Sequence, residues 1–86
     1  MTKKAPIDQR RIDAIRDRLA AATAGPWLPY IEGKNHTSGS SFIRTASGGI
    51  ELDGATDADI EFMAEARQDI PFLLDQLQRL SDLQEP

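Results

Sequence analysis

Thr23-Ala24-Gly25-Pro26-Trp27 is the stretch whose reading decides the fold. A glycine suited to the left-handed conformation that closes a helix is followed by a proline that cannot continue one. Upstream, residues 8–22 space Ile12, Ile15, Leu19 and Ala22 at helical intervals and keep Arg10, Arg11, Asp13, Asp17 and Arg18 off that stripe. Asp13 and Arg16, three apart, are spaced for a pair worth about 0.2–0.5 kcal/mol. Trp27 is expected to fold back onto the helix it has just left, burying roughly 150–250 Å² in the core.

Downstream the pattern changes to sheet. Trp27-Leu28-Pro29-Tyr30-Ile31 is rich in strand formers, and Pro29, which lacks a donor, favours an edge. Residues 33–41 are small and polar and read as a mobile loop. Ser41–Thr45, the turn Ala46-Ser47-Gly48-Gly49 and Ile50–Asp53 form a hairpin, the glycines supplying positive φ. Ile50 and Leu52 alternate with Glu51 and Asp53, so one face is buried and the other is wet and acidic.

Thr56 reads as a helix N-cap with Asp59 three residues on, and Asp57 and Asp59 suit the positive end of the helix. A helix from Asp57 to about Arg67 buries Ile60, Met63 and Ala64. Pro71 is expected to interrupt it, because an interior proline costs about 3 kcal/mol, with a gentle kink joining two helical segments as the alternative. Asp69 then caps a second helix with the apolar stripe Ile70, Leu73, Leu74, Leu77 and Leu80, extended by Leu83. The expectation is an α+β fold: an N-terminal helix, a three-stranded antiparallel sheet and two C-terminal helices covering one sheet face. Residues 1–86 make a single domain, with 1–7 a flexible tail and 84–86 a frayed end. Ile70-Leu73-Leu77-Leu80 has near-heptad spacing. Covering the chain's own sheet is its plainer use, and pairing in a homodimer is the other.

Composition narrows the function classes. Eighty-six residues, 40% apolar and 28% charged, supply one small core. Without cysteine there is no disulfide scaffold, thiolate zinc site or thiol nucleophile, and a single histidine rules out any two-imidazole site. No apolar run approaches the roughly 18 residues of a membrane span, and Lys3-Lys4 has no hydrophobic stretch behind it, so a cytoplasmic protein is expected. Neither a cofactor nor a catalytic pair is indicated. Charge is uneven: residues 1–24 carry +3, residues 25–50 carry +1, and residues 51–86 carry −8. Six acids and no base lie between Glu51 and Glu65.

Two segments resemble a known family. Ala22-Thr23-Ala24-Gly25-Pro26-Trp27 resembles the A-T-x-G-x-W element of small phage and prophage accessory proteins. Residues 56–74, Thr56 through Leu74, are similar to their D-A-x-F-[IM]-A-x-A-R-x-D-[IV]-P-x-L-L block. Lambda-type early-region (Ead-like) proteins share the order of helix, G-P-W turn, variable β middle and terminal helices. The resemblance covers residues 8–28 and 56–83, leaves the middle unmatched, and supplies no catalytic residues. It implies a phage or prophage origin in a bacterial host, where such proteins often antagonise immunity, including type I CRISPR interference.

The acidic stretch gives that implication a chemistry. Glu61 and Glu65 stand about 6 Å apart along a helix axis, against a phosphate every ~3.4 Å of a DNA strand. Glu51, Asp53, Glu61 and Glu65 are therefore the candidate partner-binding residues of a DNA mimic, an anti-CRISPR protein occupying the basic nucleic-acid channel of a host complex. The plainer account assigns Asp57 and Asp59 to the helix dipole and Glu51 and Asp53 to strand alternation, leaving Glu61 and Glu65 unexplained. Asp53, Asp57, Asp59 and Glu61 lack the spacing and glycine of a calcium loop, so no metal is expected. Direct nucleic-acid binding by Arg10, Arg11, Arg18 and Lys3-Lys4 is opposed by Asp8, Asp13 and Asp17. The rival reading places a ligand site at Lys34, His36 and Arg44, with Trp27 or Tyr30 stacking on a base, in an oligomeric sponge for a cyclic nucleotide immune signal. A non-enzymatic virion or accessory part is the third class. His36 and Ser38, Ser40 and Ser41 lack activating partners, which disfavours an enzyme.

Overall fold

Asp8 opens the first helix by accepting a hydrogen bond from the Arg11 amide at 3.1 Å. A computed structural model describes residues 7–35 and 39–84. Helix α1 runs Gln9–Ala21, strands β1 Leu28–Tyr30, β2 Phe42–Thr45 and β3 Gly48–Glu51 follow, and α2 spans Asp57–Gln84. The sheet is antiparallel in the order β1-β2-β3. The α+β class and the order of elements are as the sequence suggests. Residues 1–6, 36–38 and 85–86 lie outside the described residues, and with them most of the expected tail, His36 and much of the end.

Register sorts the side chains onto two faces. Pro29, Ile43 and Ile50 are cross-strand partners and face α2. Leu28, Arg44 and Gly49, with Tyr30, Phe42 and Glu51, occupy the opposite face. There the Tyr30 and Phe42 rings stack at 5.1 Å. Ile31, Ile43, Ile60 and Ala64 form the buried centre, with Trp27, Leu52, Ala55 and Met63 packed around it.

Several local expectations need correction. The hairpin turn is the pair Ala46-Ser47. Gly48 belongs to β3 and, unlike Gly49 beside it, takes positive φ (131°), while Thr45 Oγ1 donates to Gly48 O and accepts from Ser47 N. Gly25 does not take left-handed φ. The helix has already ended, with Ala22 extended as its C-cap, and the Gly25–Pro26 peptide is cis. A Cβ at Gly25 would lie 3.4 Å from Arg67 Cγ and 3.5 Å from Gln68 Oε1, ordinary contact distances, so Gly25 stands close against α2 without steric exclusion of a side chain. Asp13 takes its hydrogen bond from Gln9 Nε2 at 2.9 Å, one turn back, rather than pairing with Arg16. Of the expected mobile loop, residues 33–35 belong to a hydrogen-bonded turn: the Lys34 and Asn35 amides both donate to Ile31 O, and Asn35 Oδ1 accepts from Ile31 N.

The largest correction is at Pro71. There is one C-terminal helix, not two, and Pro71 lies inside it. The backbone bond that proline removes is offset by packing on both sides. Ile60 and Ala64 are buried against the sheet two to three turns before it, and Leu74 is buried one turn after it, beside Leu19 of α1 and its C-cap Ala22. Asp69 is therefore an exposed mid-helix residue and no cap. The start of α2 is as expected: Asp59 N donates to Thr56 Oγ1 and Thr56 N to Asp59 Oδ2, each cap satisfying the other.

Candidate functional site: the outward face of α2

A clasp fixes α2 to the rest of the chain. Gln68 lays its amide along the backbone of Trp27, accepting from Trp27 N at 2.8 Å and donating to Trp27 O at 3.2 Å. Its Nε2 also donates to Ala64 O. Thr23 O accepts from both Trp27 Nε1 and Arg67 Nε at 3.0 Å. The segments 22–27 and 56–74 thus meet each other, Thr23 and Trp27 on one side and Arg67 and Gln68 on the other holding the first turn of the fold against the long helix. Those residues are occupied in building the scaffold.

With Gln68 turned inward, one side of α2 is left to solvent. Asp57, Glu61, Glu65 and Asp69 are all exposed and stand four residues apart, a ladder with rungs about 6 Å apart along the axis. Phe62 and Phe72 share that side, 74% and 61% exposed. Lys34 Nζ reaches Glu61 Oε1 at 3.3 Å, with both side chains mostly in water, so this pair contributes at most about 1 kcal/mol. Four carboxylates with one cation beside them repel one another along the helix. The arrangement is relieved when a cationic surface approaches.

Of the sequence-derived partner residues, Glu61 and Glu65 fall on this ladder. Glu51 does not join them: it is in register with Phe42 on the sheet face turned away from α2. Asp53 is exposed in the bend between β3 and α2. A single patch of all four is therefore corrected to a ladder with two different outer members, Asp57 and Asp69. The signal for them was the unbroken four-residue spacing, hidden by ending the helix before Pro71.

The rival ligand residues are also separated. Lys34 extends to α2, whereas Arg44 stands on the opposite sheet face beside Leu28 and Gly49. His36 lies outside the described residues. Trp27 has its indole donor committed to Thr23 O, and the Tyr30 ring is stacked on Phe42, which lies over Gly49, where a Cβ would come within 3.1 Å of the ring.

Among the described residues no polar or charged side chain is buried, and no three metal-ligating side chains converge. No helix among them is long and apolar enough to cross a membrane. Searches of family models, curated proteins and solved structures give no match to the chain.

Proposed function

We propose that this chain is a non-catalytic binding protein that offers the acidic ladder of α2 to a cationic surface on a protein partner. The observation that carries the reading is the alignment of Asp57, Glu61, Glu65 and Asp69 along one exposed side of a continuous helix, with Phe62 and Phe72 beside them. One carboxylate per ~6 Å of helix matches roughly two phosphates of a nucleic-acid strand. Lysines and arginines that normally hold a backbone would pair with the ladder, while the two phenylalanines add apolar contact that simple counterion exchange does not provide.

The motif resemblance supports the more specific role of a phage-derived inhibitor of bacterial defence, an anti-CRISPR protein that blocks DNA binding by a type I surveillance complex. The test uses a purified surveillance complex and a labelled target duplex in a gel-shift competition. The wild-type chain is expected to displace the duplex, and its inhibition to weaken as salt rises. A Glu61→Lys, Glu65→Lys variant with unchanged circular dichroism is expected to inhibit at least tenfold less well. Equal inhibition by that variant overturns the ladder as the binding surface. Failure of the wild-type chain to compete at low salt removes this complex as the partner.

A further inference from the structure

The ladder leaves the C-terminal half of α2 unexplained, and that half carries six of the ten exposed large apolar side chains among the described residues. Ile70, Leu73, Leu77 and Leu80 remain 37%, 56%, 41% and 56% exposed, and Leu83 82%. They do not cover the sheet, which is the use the sequence favoured; Ile60 and Ala64 do that. Helix α1 runs alongside and has no buried residue of its own, in spite of its Ile12-Ile15-Leu19 stripe. Between the two helices lies an open groove of about 490 Å³ lined by Ile15, Leu19 and Arg18 from α1 and by Ile70, Leu73, Leu74 and Leu77 from α2, Arg18 being its one charged residue. Two amphipathic helices with a shared, uncovered apolar seam are half of a four-helix bundle.

We infer that the missing half is a second copy of this chain, its α2 lying antiparallel in the groove. Three observations select that occupant. The first is spacing: Ile70, Leu73, Leu77 and Leu80 are separated by three, four and three residues. This pattern reads the same in both directions, so a two-fold axis near residue 75 sets Leu73 against the partner's Leu77 and Ile70 against the partner's Leu80.

The second is charge. The seam is flanked by Asp69, Leu74, Gln76, Ser81 and Leu83, a single charge among five positions. This matches the depletion of charge at interface cores. A parallel arrangement would set each acidic ladder beside its own copy; the antiparallel one sends the two ladders to opposite ends. The third is area. Five large aliphatic side chains between 37% and 82% exposed form one contiguous apolar face, which is what the apolar centre of a homodimer interface burying ~800 Å² on each side requires.

Light scattering with sedimentation over a dilution series tests the inference. The wild-type chain is expected at twice its 9.5 kDa mass, dissociating on dilution. Leu73→Lys with Leu77→Lys is expected to give the single-chain mass with an unchanged helical spectrum. Orientation is read from Asp69→Cys, the only thiol in the variant. Antiparallel copies hold these positions about 18 Å apart, beyond the ~7 Å that a disulfide spans, so no disulfide dimer forms. A wild-type chain that stays at 9.5 kDa at the highest concentration, or a lysine variant that still dimerises, overturns the inference. An Asp69→Cys chain that oxidises readily to a covalent dimer overturns the antiparallel arrangement. None of these results bears on the ladder, whose competition assay has its own outcome.

Discussion

The two halves of α2 use their inner and outer faces in opposite ways. Residues 57–69 bury Ile60 and Ala64 to 1% and 0% exposure and turn carboxylates outward. Residues 70–83 bury Leu74 alone and turn leucines outward. The difference teaches that the monomer's stability is concentrated in the first half, where the helix closes the sheet, while the second half is stabilised mainly by whatever it meets. The chain's dimensions of 57 × 28 × 19 Å fit this division, since 28 residues of helix extend about 42 Å, well beyond a sheet of three short strands.

Substitutions sharpen the contrast from the strongest effect downward. Ile60→Ala is expected to destabilise by about 2–5 kcal/mol, because a fully enclosed side chain leaves a cavity between α2 and the sheet; a denaturant midpoint measures it. Leu80→Ala, the same class of change in the outer half, is expected to cost less than about 0.5 kcal/mol in dilute monomer. Equal losses at the two positions would abolish the distinction between the halves. Gln68→Ala removes both hydrogen bonds to the Trp27 backbone and is expected to cost about 1–3 kcal/mol, read by thermal unfolding. Thr56→Ala uncaps the first half and is expected to cost about 1 kcal/mol in the same measurement. Smallest of all, Lys34→Ala is expected to change stability by under about 1 kcal/mol. By removing the cation beside Glu61, it should also strengthen binding to a basic partner.

How much of this was legible in the sequence follows from the reach of each interaction. The Thr56 cap depends on neighbours within four residues and reads correctly, whereas strand alternation is right for Leu52, which packs on the core, and wrong for Ile50, which stays 39% exposed because α2 covers β1 and β2 and leaves β3 open. The Gln68 clasp joins residues 41 positions apart, so nothing near Gln68 marks it. Pro71 misled for the complementary reason: its local cost is real, but burial of Ala64 and Leu74 on either side outweighs it. That single break also concealed Asp69, which was assigned to a cap, while Asp57 was set aside separately as a partner of the helix dipole. The four-acid patch failed differently. Strand alternation placed Glu51 on the wet side of the sheet, but only the packing of α2 against the other side shows that the two acidic surfaces face apart.

Pro71 also sits at the border between the halves, and it has no amide to return to the carbonyl of Arg67. The helical ladder is thus notched one turn past the clasp, where cooperativity between the two segments is weakest. Deuterium should enter the amides of residues 72–84 well before those of 58–68. A companion seated on the leucines would slow the first set and leave the second almost unchanged, so exchange rates alone can locate where an unknown binder sits.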